Sequence, residues 1–239
     1  MSGEECSLLL HEAETHNLNM SVRQAEQLIA YYEELIETNK VMNLTRITDF
    51  RDAVEKHFID SLMITRDVDL NKIHRVLDIG SGAGFPGLPL KILYPHLDVL
   101  MIDSVGKKMN FVSGVIQKLG LAGVEARHAR AEELARDKKY RESFDLCVSR
   151  AVANLSTLSE YCLPFVKKGC VFAAYKSDQC EEEVRQAASA IRKLGGDQAV
   201  IDTFSLYGMG RSIITIKKKQ PTPAAYPRKA GIPSKEPLS

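Results

Sequence analysis

This sequence predicts an α/β fold: a seven-stranded, mostly parallel sheet that closes in an antiparallel hairpin and is preceded by a small helical region. Three observations carry that expectation. From about residue 73 to 219, short β-rich runs alternate with helix-length segments, the order required by a parallel sheet covered by helices on both faces. The last two β-rich runs flank a glycine-rich turn, which suits a hairpin. Before residue 73 the apolar residues recur at helical spacing instead. With 239 residues, 44% of them apolar, the chain can bury one full core.

The elements follow in order. Across 23–38, Ala25, Leu28, Ile29, Tyr32, Leu35 and Ile36 share one helical face, with Glu26, Glu33, Glu34 and Glu37 opposite. A second helix is expected over about 52–66, burying Val54, Phe58, Leu62 and Met63. These define a helical region, 1–72. The runs RVLDI, DVLMID, VEARHA, FDLCVS and CVFAAY read as strands, with helices near 86–93, 106–119, 153–166 and 180–194. The final strands, about 198–206 and 211–217, flank Gly208-Met209-Gly210 and complete a cofactor-binding domain, 73–219. Residues 220–239, PTPAAYPRKAGIPSKEPLS without the first Gln, hold five of the nine prolines and read as an extended, weakly ordered basic tail.

Composition narrows the function classes. A net charge of +1 means that affinity for an anionic partner must come from local clustering. Acidic residues dominate the first fifty positions, where Arg23, Lys40 and Arg46 are the basic ones, while Lys217, Lys218, Lys219, Arg228, Lys229 and Lys235 crowd the end. Five cysteines without a C-x-x-C pair argue against a disulfide framework and against a zinc site, so no metal is expected. The acidic start does not suit a secretory leader and no apolar run suits a bilayer span, so a soluble, cytoplasmic protein is expected.

The stretch VLDIGSGAGFPG, Val76 to Gly87, sits at the first strand-to-helix turn, the usual ligand position in an open parallel sheet. Gly80, Gly82 and Gly84 permit a sharp turn and close backbone approach, and Pro86 suits the first turn of a helix. Gly82-x-Gly84-x-x-Gly87 formally matches a dinucleotide fingerprint, a weak signal alone. Asp78 opposes that reading, because a carboxylate here repels a pyrophosphate but attracts a cation. S-adenosylmethionine carries an ammonium and a sulfonium and no phosphate, and the pattern Asp-x-Gly-x-Gly-x-Gly resembles motif I of the class I S-adenosylmethionine-dependent methyltransferases. Asp103, 25 residues on, suits ribose hydroxyls, a device that NAD enzymes share. Ala131 and Glu132 follow the third strand, near where adenine would lie, although Glu132 equally suits a helix cap.

The fourth strand narrows the methyl acceptor. It ends in Ser149-Arg150-Ala151-Val152, unlike the amino-group DNA and RNA methyltransferases, which resemble one another in an Asn/Asp-Pro-Pro-Tyr/Phe stretch here that grips an exocyclic amine. Cys147 lies in an apolar strand and reads as an inert thiol, which argues against cytosine C5 chemistry. What remains is an acceptor that is already nucleophilic, such as a ring nitrogen with a free lone pair, which needs orientation rather than a general base. Arg150 is the candidate positioning residue, clamping a cofactor carboxylate or a substrate phosphate. Three alternatives stand at this point: a nicotinamide-dependent oxidoreductase, a methyltransferase for a small molecule or protein, and a noncatalytic RNA-binding module.

MNLTRITDFRDAVEKHFIDSL, VLDIGSGAGFPGLPLKI, IDSVGKKMNFV, SRAVANL and YPRKAGIPSKEPL together closely resemble the GidB family of ribosomal RNA small subunit methyltransferases. The resemblance runs in order from about residue 8 to 238. It implies a Rossmann-like class I methyltransferase fold and methyl transfer from S-adenosylmethionine to N7 of a guanosine in 16S rRNA, in the small subunit or an assembly intermediate. It also implies cofactor contacts at Gly80, Phe85, Ala131, Glu132 and Arg150. RNA contact is expected at Lys107, Lys108 and Lys176 around the site, and along the tail at Tyr226, Arg228 and Lys229, an arm that orders on binding. The resemblance leaves the roles of His57 and Asp60 in KHFIDSL open: both can face the active cleft, where His57 would touch RNA or cofactor, and His57 equally reads as a packed histidine. A monomer is expected.

Overall fold

The computed structural model describes residues 3–150 and 153–239, so Ala151 and Val152 of SRAVANL and the first two residues lie outside the described residues. Seven strands form one sheet: β1 (Arg75–Ile79), β2 (Asp98–Asp103), β3 (Val124–His128), β4 (Phe144–Arg150), β5 (Val166–Lys176), β6 (Val200–Leu206) and β7 (Met209–Lys217). Their order is β3-β2-β1-β4-β5-β7-β6. The pairs among β1 to β5 are parallel, and β7 runs antiparallel to both β5 and β6. After β3 the chain returns to the other side of β1, so strand order reverses between β1 and β4. A crevice forms there, beyond the carboxyl ends of the strands.

The hairpin arrives with a different turn. Leu206 pairs with Met209, leaving Tyr207 and Gly208 as the two turn residues, at φ +51° and +73°. Two successive left-handed residues match the twist of the flanking strands, and the glycine at the second position accepts that conformation without strain.

Both faces of the sheet are covered, as β1 illustrates: Val76 joins one apolar cluster, and Leu77 and Ile79 join the other. On the first face lie α1 (Gly3–Thr15), α2 (Val22–Met42), α5 (Gly87–Leu93) and α6 (Gly106–Lys118). On the second lie α7 (Ala131–Leu134), α8 (Leu155–Cys162) and α9 (Glu181–Lys193). Helix α1, which the sequence reading did not single out, buries Leu9 and Ala13. Helix α2 starts in a capping box between Ser21 and Gln24. It buries Tyr31 rather than Tyr32, whose hydroxyl donates to the Thr48 carbonyl instead.

The expected helix over 52–66 is irregular. Helix α3 (Phe50–Ala53) continues as a π-helical stretch (Val54–Ile59), one turn of α4 (Asp60–Leu62) and a 3-10 turn (Met63–Arg66). A π-helical segment carries an extra residue per turn and is frequent at functional sites. This one lies over the crevice and delivers His57 and, just beyond it, Asp60.

The tail is not the weakly ordered arm expected from its prolines. Arg141 donates to the Thr222 and Tyr226 carbonyls, at 2.7 and 2.9 Å, and Arg136 donates to the Pro227 carbonyl. Lys218 is buried against the Leu163 carbonyl and Thr222 Oγ1 and lies 3.2 Å from a Glu142 oxygen. A short helix, α10 (Ile232–Lys235), then packs on α8, where Thr157 Oγ1 donates to the Pro233 carbonyl. These partners come from residues distant in sequence, so local composition did not reveal them.

Candidate functional site

The glycine loop between β1 and α5 is held from three sides. Gly80, Gly82 and Gly84 take φ of +71°, +59° and +106°. Gly80 N donates to the Ile102 carbonyl, and Gly82 N donates to Asp103 Oδ2 at 3.0 Å. Val105 N occupies Asp103 Oδ1 at 2.8 Å, so this carboxylate ties the loop to the end of β2. From the opposite side, the buried Tyr31 hydroxyl donates to the Ala83 carbonyl at 2.6 Å. Gly87 could not be larger: a Cβ there would meet Met101 Sδ at 2.6 Å and Asp78 Oδ2 at 2.8 Å.

Asp78 does not occupy the position expected of it. It is fully buried beneath the loop, where Oδ2 accepts from Gly87 N at 2.9 Å, and it does not line the adjacent cavity. In this position Asp78 supports the loop from below. Burial pushes its carboxyl up to about 7, with Gly87 N and Arg150 opposing and Asp103 adding to the rise. Oδ1 has no hydrogen-bond partner among the described residues.

Gly80, Asp103, Ala131, Glu132 and Arg150 converge on one cavity of about 410 Å³. Each Asp103 oxygen retains an acceptor site beyond its backbone donor, which suits ribose hydroxyls. Gly82 and Gly84 shape the loop without lining the cavity. Glu132 is buried, and its Oε1 accepts from Gly231 N at 2.9 Å, so the terminal segment braces the residue expected near adenine. Ser234 and Tyr161 complete this wall, a contribution that no sequence motif signalled. A nucleoside with free hydroxyls fits these donors and acceptors.

Phe85 lies in a stack. Its ring centroid is 5.2 Å from Tyr31 and 4.4 Å from His57, and the Arg150 guanidinium stands 5.2 Å over it. His57 is packed in this stack and also borders the second cavity described below. Its Nε2 and Thr45 Oγ1 share a hydrogen bond of 2.8 Å, and burial, assisted by Arg150, lowers its pKa to about 4. It is neutral at physiological pH. Arg150 NH1 donates to Asp60 Oδ2 at 2.9 Å, and its side chain lines a second cavity, of about 400 Å³, as well as the first.

The residues expected to contact RNA divide. Lys107 is exposed, Lys108 edges the cofactor-sized cavity and Lys229 is exposed. Lys176 is not free, since Nζ donates to the Ala153 carbonyl and to Glu183 Oε1, each at 2.7 Å. Arg228 forms a two-pronged ion pair with Glu160, whose side chain is 0% exposed. Tyr226 is half-buried and packs against the second apolar cluster. Arg228 and Tyr226 therefore anchor the tail.

Comparison with known proteins agrees with this geometry. The chain matches the GidB family, described as rRNA small subunit methyltransferase G, over residues 24–209. It is 48% identical over 223 residues to the ribosomal RNA small subunit methyltransferase G of Lachnoclostridium phytofermentans, covering 92% of each chain. To the protein of that name from Oceanobacillus iheyensis it is 46% identical, covering 96% of this chain and 97% of the relative. Among solved structures, it is similar in fold to the S-adenosylmethionine-dependent methyltransferase SibL, with a TM-score of 0.57 at 13% identity over 83% of this chain and 74% of that one. A SAM-dependent methyltransferase from Aquifex aeolicus gives 0.52 at 18% identity, covering 69% of this chain and 92% of that one.

Proposed function

The chain belongs to the GidB family of rRNA small subunit methyltransferases, and from that premise we propose that it transfers a methyl group from S-adenosylmethionine to N7 of a guanosine in 16S rRNA. The observation that carries this reading is the convergence of Gly80, Asp103, Ala131, Glu132 and Arg150, from the ends of four strands, on one nucleoside-sized cavity. The acceptor is presented by the small subunit or an assembly intermediate, in the cytoplasm, to a monomeric enzyme. Among the described residues no helix is long and apolar enough to cross a membrane.

When bound, S-adenosylmethionine supplies an electrophilic methyl group on a sulfonium. Asp103 accepts from the ribose hydroxyls, the Gly80 backbone allows close approach, and Ala131 and Glu132 border the adenine. Arg150 is a positioning residue, held by Asp60, the Lys56 carbonyl and the Phe85 ring in the wall common to both cavities. N7 bears a free lone pair, so no proton has to leave before attack. The neutral His57, locked in its stack, is not required as a base. Lys107, Lys108 and Lys229 remain available to phosphates and set register on the RNA without reading sequence.

The test is incubation of the protein with labelled S-adenosylmethionine and undermethylated small-subunit particles, followed by mapping of the modified nucleotide. Label at guanine N7 in 16S rRNA is expected. Label confined to a protein or a small molecule, or at a different ring position, would overturn the proposal.

A further inference from the structure

The second cavity opens between the π-helical stretch and the β5-β7-β6 edge, separated from the first by Arg150. One wall is the Phe204 ring on β6. The Arg66 guanidinium covers a face of that ring at 4.6 Å and is itself fixed by Asp202 at 2.7 Å. Asp60 also lines this cavity and is 7% exposed. Its Oδ1 accepts from Arg211 Nε and its Oδ2 from Arg150 NH1, both at 2.9 Å. An ionised carboxylate offers about four lone-pair sites, so each oxygen retains one. The cavity thus combines an aromatic wall with a rigid acceptor whose orientation is set by two arginines.

Such a site suits a planar ring that presents two adjacent N–H donors. Among the RNA bases only guanine does, through N1–H and the N2 amino group. Adenine and cytosine place an acceptor beside their amino group, and uracil places its N–H between two carbonyls. A second consideration points to the same edge. Proteins commonly read guanine with arginine on O6 and N7, but here N7 must keep its lone pair for attack. The N1 and N2 edge across the ring can be read without crowding N7, and reading it takes an acceptor.

We propose that Asp60 is the specificity-determining residue of the reaction, accepting hydrogen bonds from N1–H and the N2 amino group of the target guanine while the base packs against Phe204. This rests on the function proposed above. It also adds to the rate. As the N7–C bond forms, the C–S bond breaks and its electron pair goes to sulfur, which becomes a neutral thioether. The positive charge moves to the purine. N1–H becomes a stronger donor as that charge grows, so its bond to the Asp60 carboxylate is stronger in the transition state than in the ground state.

The experiment compares small-subunit particles that carry either guanosine or inosine, which lacks the N2 amino group, at the mapped position. Wild-type kcat/KM is expected to fall about 10- to 100-fold with inosine, the loss of one hydrogen bond to a charged acceptor. In Asp60→Asn the guanosine value falls and the guanosine-to-inosine ratio collapses to within about 3-fold. The Asp60→Asn amide oxygen can still accept from Arg150, so cofactor affinity measured by calorimetry is expected to fall less than the guanosine kcat/KM, which separates base reading from a general disturbance of Arg150. A wild-type enzyme indifferent to inosine overturns the inference and needs no variant to fold. So does an Asp60→Asn enzyme that keeps the wild-type ratio. If the wild type methylates guanine N7 yet either result appears, only the role of Asp60 fails. If the wild type places no methyl at N7, the function proposed above fails with it.

Discussion

Replacing Arg228 by alanine tests whether the terminal segment is part of the fold or an RNA arm. Arg228 Nε and NH2 reach both oxygens of Glu160 at 2.7 to 3.1 Å, and Arg228 N donates to Oε1 at 2.7 Å. The Glu160 side chain is 0% exposed and that of Arg228 is 25% exposed. Truncation leaves a carboxylate inside the second core with only a backbone donor. Breaking a buried pair from one side costs about 3 to 5 kcal/mol, and the partial exposure of Arg228, which lets water reach the vacated space, places this case near about 3 kcal/mol. For a chain of this length that lowers Tm by about 6 to 12 °C. Calorimetric unfolding measures the loss, and Arg228→Ala combined with Glu160→Gln is expected to recover much of it, because no unpaired charge then remains. The slope of log affinity for RNA against log salt is expected to change by less than about one unit. A Tm within about 2 °C of wild type, together with a slope reduced by about one, would refute the docked reading and restore the flexible arm.

Tyr31→Phe removes the hydroxyl that holds the Ala83 carbonyl. A loss of about 1 kcal/mol, read as roughly five-fold weaker cofactor binding by calorimetry, is expected, and unchanged affinity would show that the loop stands without this brace. Gly87→Ala forces a methyl group into contact with Met101 and Asp78, and should cost about 1 to 3 kcal/mol in urea unfolding. Two pH slopes oppose each other. Asp78 is raised from 3.8 to about 7, so the folded state retains a proton that the unfolded chain has lost, and stability falls as pH rises through that window. His57 is lowered from 6.5 to about 4, so the unfolded chain binds the extra proton, and stability falls as pH drops through that window. Asp78→Asn should therefore make stability rise more steeply between about pH 4 and 6.5, and His57→Phe should make that rise shallower, both followed by urea unfolding across pH.

Features whose partners lie close in sequence were legible; those completed across the fold were not. Strand and helix alternation is a local periodicity, and every expected strand is present because each apolar run is bounded by its own turn residues. The positive φ of Gly80, Gly82 and Gly84 was likewise foreseeable, since only the turn demands it. Asp78 shows where local reading ends. Its position two residues before a glycine loop is compatible with facing a ligand or with facing inward, and the backbone N–H of Gly87, nine residues on, selects the second. The basic tail fails for the same reason on a larger scale: Arg228 looks like a free cation until Glu160, 68 residues away, supplies its counter-charge.

Asp60 is the opposite case, a residue without a legible role whose surroundings assign one. Nothing within KHFIDSL distinguishes a core carboxylate from a functional one, because its two arginines sit 90 and 151 residues further along the chain. A buried carboxylate flanked by two cations could be a purely structural triad, and such triads are often no more stable than an apolar replacement of similar volume. What separates Asp60 from that class is its place on the wall of an aromatic-lined cavity sharing Arg150 with the cavity proposed for the cofactor. A structural triad gains nothing from an open side. An acceptor that must meet a base needs one, and the π-helical stretch, which leads straight into Asp60, sets it at that opening instead of within the core of a regular helix.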